Sequence, residues 1–252
     1  MCKSRGFSLV ELLVVVSIIS VLVTLVVPWL GRAKLAAQEA VCRSNLRHLA
    51  EVYQTYCDDH DGRTLPYVYR DDVGLPFEHF WMEVLSEYHG RMGDFRLCPS
   101  TRKLKQNCWG TTWIAWGPTY SGFIRQHYGS YAINGWMYNM GWDGVHHVGA
   151  DPYDFESIID ADAANVPVFC DSAWVDAWPR VDQSPCLDLD LGGQYAEPSM
   201  WRVCVARHGM SVNASFVDGS ARNVPLDDLW VLSWHKGWVP DPTIHVPQPG
   251  QE

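Results

Sequence analysis

The chain has 252 residues, 47% hydrophobic and 19% charged, which supplies enough apolar material for a packed core and excludes global disorder. A formal net charge of −10, with no local Lys/Arg cluster to reverse it, excludes a general nucleic-acid binder. Eight cysteines without paired CxxC motifs argue against a zinc ribbon, and 13 tryptophans with 15 prolines suggest a rigid, extracytoplasmic head in which disulfides are open.

The first element is an apolar run with one acid near its start. Leu12 to Gly31 carry no formal charge and are mostly Leu, Val or Ile. As a helix this stretch spans about 30 Å, the thickness of a bilayer's hydrocarbon core. A secretory signal peptide accounts for Lys3 and Arg5 but requires a shorter apolar region and a small-x-small cleavage site, which Pro28-Trp29-Leu30-Gly31-Arg32 does not offer. A plain anchor fits the length and leaves Glu11 unexplained. A carboxylate at mid-bilayer costs about 2.5–3.5 kcal/mol, and less near the edge, so it needs a partner or a route to water. Arg5 is the bland local partner.

Gly6-Phe7-Ser8-Leu9-Val10-Glu11-Leu12-Leu13 resembles the processing signal of type IV prepilins and type II secretion pseudopilins. In that signal a short basic leader ends in Gly, Phe follows, Glu is fifth in the mature chain, and an apolar helix begins. The resemblance covers residues 3–30. It implies that a prepilin peptidase removes the cytoplasmic leader 1–6 by cutting between Gly6 and Phe7, then N-methylates Phe7. It also implies a single pass through the inner membrane, a periplasmic or extracytoplasmic head, and partner pilin or pseudopilin subunits. Lys3 and Arg5 face Arg32, Lys34 and Arg43 across the span, so charge by itself is weak evidence of orientation. On this reading Glu11 neutralises the freed amine of Phe7 on a neighbouring subunit, and staggered copies grow into a filament.

The helix is expected over residues 7–62, with about 9–31 transmembrane. Leu35, Cys42, Leu46, Leu49, Tyr53 and Tyr56 form one apolar stripe. Gly62 suits the position after the last turn, and Pro28 predicts a kink or local melting.

The head occupies residues 63–252. Residues 80–88 read as a short helix with Trp81, Val84, Leu85 and Tyr88 on one face. Gly129–Gly135 reads as a strand entering a tight turn, 154–164 as helix, Val166–Cys170 as a buried strand and 179–199 as loop. Trp201–Ala206 and Val212–Val217 alternate like half-buried strands. Asp218-Gly219 signals a hairpin into Ser220–Val224, and Leu226–Trp234 reads as helix. The fold class is therefore α+β and pilin-like: a long N-terminal helix packed on an antiparallel sheet, with short inserted helices and loops, ending in a meander and helix over 200–238.

His208, nine residues, then Asp218-Gly219 resembles the C-terminal signature of large pilin-like proteins abundant in planctomycetes and related bacteria. Only a general pilin-like role follows from it. In a meander, His208 and Asp218 sit about 20 Å apart at opposite ends of one strand. Both are therefore read as structural, with Asp218 shaping the turn and His208 approaching Asn223–Pro225.

Cys98 and Cys108 flank a loop and are expected to form a disulfide. Cleavage removes Cys2 and leaves seven cysteines, so at least one stays unpaired in a monomer. Adjacent histidines in Asp143-Gly144-Val145-His146-His147 point to opposite faces of a strand, which weakens a shared metal site. Asp188-Leu189-Asp190-Leu191-Gly192-Gly193 is a loop that could hold calcium, but it lacks five or more spaced oxygen ligands. No metal and no cofactor are expected, with calcium left as the one alternative. The functional expectation is a non-enzymatic pseudopilin or minor pilin. The alternatives are a membrane-anchored, Trp-rich glycan- or surface-binding module and an anchored hydrolase using carboxylates in 143–190.

Overall fold

The computed structural model describes residues 8–67, 69–70, 76–77, 81–88, 95–103, 109–117, 127–139, 153–190 and 198–247. Residues 1–7, Cys108 and the segments 143–147 and 191–193 lie outside the described residues. The chain divides into two compact units, residues 1–38 and 39–252. A helix α1 (Leu9–Asp59, 51 residues) contributes to both.

In the first unit α1 is exposed along its whole apolar stretch, and it is long and apolar enough to cross a membrane. Polar groups in such a helix must be satisfied internally. Ser17, Ser20 and Thr24 donate to the carbonyls of Leu13, Val16 and Val21 at 2.7, 2.8 and 2.7 Å. The helix continues through Pro28, so the expected local melting does not occur. Proline removes a single N–H, and the turns on either side hold the helix together.

In the second unit the stripe Cys42, Leu46, Leu49, Tyr53 and Tyr56 is buried, as its spacing predicts. Leu35, expected on the same stripe, is 64% exposed, so the buried stripe begins at Cys42. The helix stops where a left-handed turn becomes available. Asp61 and Gly62 have φ of 55° and 80°, and the N–H groups of His60 and Gly62 both bond the Cys57 carbonyl, at 3.0 and 2.7 Å.

Short elements follow: β1 (Leu65–Pro66), β2 (Tyr69–Arg70), β3 (Pro76–Phe77) and α2 (Trp81–Ser86). The main strands are β4 (Tyr131–Asn134), β6 (Pro167–Asp171), β7 (Asp176–Ala177), β8 (Ser211–Phe216) and β9 (Ala221–Pro225), with β5 (Tyr138–Asn139) pairing β1. They form a five-stranded sheet ordered β7-β4-β6-β8-β9. All its pairs are antiparallel except the short β4–β7 pair, so the sheet is mixed where a purely antiparallel one was expected. The α+β, pilin-like class stands.

Strands β4, β6 and β8 are buried on both faces. Tyr53 of α1 meets Phe169 of β6 edge-on with ring centroids 6.0 Å apart, and Trp81 of α2 packs on the same ring at 4.9 Å. The polar alternates of β8 are therefore inside as well: Ser215 Oγ donates to the Phe169 carbonyl and Asn213 Oδ1 accepts from Asn223 Nδ2, both at 3.4 Å. Asp218-Gly219 makes the expected turn into β9, with Gly219 at φ 79° and Asp218 Oδ1 accepting from the Ser220 N–H at 2.8 Å.

Three expected elements are corrected. Residues 201–206 are not a strand: Trp201 and Arg202 close a 3-10 turn, Ser199–Arg202, and the polar alternate Arg202 is buried against Asp176 and not facing solvent. The helices expected over 154–164 and 226–234 shorten to 3-10 turns at Ile158–Asp160 and Leu226–Trp230. In the second, Trp234 Nε1 is spent on the Leu229 carbonyl at 2.7 Å, which closes the chain on itself.

Gly129 marks a close approach. A Cβ there would lie 2.1 Å from the ring of buried Trp116. Gly129→Ala should overpack the core by about 1–3 kcal/mol and lower the midpoint of thermal unfolding by about 2–12 °C, measured by tryptophan fluorescence. An unchanged midpoint contradicts this packing.

Candidate functional site

Two regions carry chemistry, and the first is the start of α1. Ser8 Oγ accepts the Val10 N–H at 3.3 Å, and Glu11 Oε2 accepts the Ser8 N–H at 2.8 Å. This is a reciprocal capping box of the Ser-x-x-Glu type, which satisfies two of the donors that a helix start leaves unbonded. The signal is present in the sequence as Ser8-Leu9-Val10-Glu11, but the apolar run that follows draws the acid toward a membrane reading and hides the cap. Glu11 thus has an intramolecular role beside the expected intermolecular one. Gly6 and Phe7 lie outside the described residues.

The second region is a buried polar cluster in the head. Cys42 comes from α1, Cys98 from the loop after α2, Asp171 from the end of β6, and Arg207 and His208 from the turn before β8. Asp171 is its hub. Its Oδ1 accepts from Arg207 Nη1 at 2.9 Å, its Oδ2 accepts from the Asn213 N–H at 2.8 Å, and Oδ2 lies 3.3 Å from His208 Nε2. Cys42 Sγ lies 3.5 and 3.6 Å from the two carboxylate oxygens. Cys98 Sγ lies 3.4 Å from His208 Nε2.

Arg207 has no exposed side-chain surface, yet every guanidinium donor is engaged. Nε donates to the Thr112 carbonyl at 2.8 Å, Nη1 also to Ser130 at 2.5 Å, and Nη2 to Thr111 and Ser172 at 3.2 and 2.8 Å. The fork thereby pins the 111–112 loop, the start of β4 and the end of β6 to one point.

The local charges reinforce one another. Burial opposes ionisation of Asp171, but Arg207 and His208 outweigh it and hold the carboxyl below its ordinary range. Burial likewise opposes charge on His208, while Asp171 and Cys98 raise it to about 9. The hydrogen bond from Cys42, aided by His208 and Arg207, lowers Cys98 to about 6. Burial, with Cys98 and Asp171, pushes Cys42 well up.

His208 therefore does more than tie down a strand end. The backbone beside it does meet β9 as expected, since Ser211 pairs with Pro225 and Met210 accepts the Leu226 N–H at 3.0 Å. Its side chain, only 4% exposed, turns inward to Asp171 and Cys98. Asp218 and Gly219 sit beyond the other end of β8 and form the turn alone. Cys98 is a free, buried thiol, and its expected disulfide partner Cys108 lies outside the described residues. Its sulfur is directed inward, toward Cys42 and His208. No sequence pattern announces this cluster, whose members come from four distant stretches of chain. Its two thiols, imidazole and carboxylate, with donor atoms all within 4.8 Å of one another, form a set able to hold a metal ion.

Comparison with known proteins bears on the first region only. Residues 1–27 match the family model described as the prokaryotic N-terminal methylation motif. No curated protein and no solved structure matches the chain. Residues 1–27 thus carry a prepilin-type N-terminal methylation motif, which leads into a helix long and apolar enough to cross a membrane.

Proposed function

We propose that the chain is a filament subunit, a pseudopilin or minor pilin of a type II secretion or type IV pilus-like system. A prepilin peptidase cuts between Gly6 and Phe7 and methylates the new terminus. The subunit then waits as a single-pass protein of the inner membrane, head on the periplasmic side, until it is drawn into the filament through α1. The observation that carries this reading is a prepilin-type motif over 1–27 joined to an apolar helix that no part of the described chain covers. Lipid covers such a surface before assembly, and sister helices cover it afterwards. The large head favours a minor subunit, because bulky heads crowd a helical lattice.

Mass spectrometry of the N-terminus tests it. Material from the native membrane should begin at N-methylated Phe7. Retention of the first six residues overturns the proposal, because the free amine that Glu11 is to meet would not exist.

The glycan-binding alternative has a narrower base. Six head tryptophans, Trp81, Trp116, Trp136, Trp230, Trp234 and Trp238, are buried in the core. Among the described head residues only Trp109 and Trp113 are exposed tryptophans, each at 41%, and Trp109 already stacks on Trp174 with centroids 3.8 Å apart. For the hydrolase alternative, the carboxylates of Asp171 and Asp176 are buried and each bonds an arginine, Arg207 and Arg202, so neither faces solvent where a substrate could meet it.

A further inference from the structure

We propose that Cys42, Cys98, Asp171 and His208 form a structural zinc site that fastens the buried half of α1 to the sheet. The edges of the cluster carry the inference. A tetrahedral zinc ion, about 2.3 Å from sulfur and about 2.0–2.1 Å from nitrogen or oxygen, sets its ligands about 3.3 Å apart for N···O and about 3.5–3.6 Å for S···O and S···N. Here His208 Nε2 and Asp171 Oδ2 are 3.3 Å apart, Cys42 Sγ and Asp171 Oδ2 3.6 Å, and Cys98 Sγ and His208 Nε2 3.4 Å. Pairwise hydrogen bonds account for each edge singly. A common centre accounts for them together, with all four donor atoms inside 4.8 Å.

Donor chemistry selects the ion. Two sulfurs disfavour calcium and magnesium, and a closed tetrahedron of mixed sulfur, nitrogen and oxygen suits zinc. Charge also balances. Two thiolates and the Asp171 carboxylate supply three negative charges, which the divalent ion and the buried Arg207 guanidinium neutralise with His208 neutral; every proton that Cys42 Sγ, Cys98 Sγ and His208 Nε2 carry beforehand leaves to solvent as the ion binds. Supporting contacts are in place. Arg207 occupies Asp171 Oδ1 and leaves Oδ2 toward the centre, where the Asn213 N–H orients it, and the Tyr131 hydroxyl donates to Cys42 Sγ at 3.4 Å. Cys42, Cys98 and Asp171 are fully buried, as is nearly all of the His208 side chain, and protein fills all four positions. That closure fits a structural ion and not a catalytic one. The signature histidine thereby gains a reason for being where it is.

The full-length chain, purified in detergent under chelator-free conditions, should contain about one zinc per molecule, and X-ray absorption should report a first shell of two sulfurs and two lighter atoms. Replacement by cobalt should give the visible bands of a tetrahedral thiolate site. Cys98→Ser and His208→Ala should lose stoichiometric zinc, while Cys204→Ser, which removes a buried thiol outside the cluster, should keep it. Because ligand variants can fail to fold, the wild-type measurements decide. A reduced wild-type chain that takes up no zinc, a first shell without sulfur, or a Cys42–Cys98 disulfide found by intact mass overturns the site. Retention of zinc by the Cys42→Ser/Cys98→Ser double variant overturns it as well.

Discussion

Replacing Arg207 by methionine should cost the head about 3–5 kcal/mol, since removing one partner of a buried pair strands the other charge in a medium that cannot solvate it. The stranded charge here is Asp171, which is fully buried. Four carbonyls, those of Thr111, Thr112, Ser130 and Ser172, lose their donor in the same step. Spread over a unit of this size, the loss lowers the unfolding midpoint by about 6–20 °C, read by near-ultraviolet circular dichroism on the detergent-solubilised chain. Arg207→Lys separates charge from geometry. An ammonium keeps the charge but has three donors and no planar fork, so it cannot serve four carbonyls and a carboxylate at once. It should fall between wild type and methionine. A methionine variant within about 1 kcal/mol of wild type would mean that the cluster does not hold the head together.

The sequence was readable where one physical signal dominated. The apolar run could only be a span or a signal, and Gly62 was free to take the left-handed turn that ends α1. Asp218-Gly219 made a hairpin because its turn chemistry is local. Reading failed where tertiary partners changed the meaning of a polar residue. Trp201-Arg202-Val203-Cys204 alternates like a strand with one wet face. Arg202 instead donates to Asp176 Oδ1 at 2.8 Å inside the protein, so the alternation has no solvent side to report. In β8, Asn213 and Ser215 look solvent-facing and are fully buried. The Asp171 cluster was illegible for a related reason. Cys42 read as one more apolar position on a helical stripe, and Asp171 merely as the residue after a strand. Only the register of β6 against β8 and the docking of α1 bring them together.

In the proposed filament role, Glu11→Gln should leave membrane insertion and leader cleavage intact and reduce recovery in sheared filaments by at least about tenfold, which corresponds to about 1.4 kcal/mol of lost subunit attraction. The choice of glutamine rests on the capping box. Its side-chain carbonyl can still accept the Ser8 N–H that Glu11 Oε2 accepts at 2.8 Å, so the start of α1 stays capped while the charge disappears. A unit charge facing an amine across about 4 Å contributes about 4 kcal/mol at an effective dielectric of about 20, well above the threshold of the assay. Glu11→Ala removes cap and charge together and cannot distinguish them. Immunoblots of membrane and filament fractions make the comparison. Glutamine and alanine should fail alike at assembly, with alanine alone loosening the first turn of the helix. If glutamine assembles as wild type does while alanine fails, Glu11 is a helix cap only, and the subunits must be held by the apolar faces of α1.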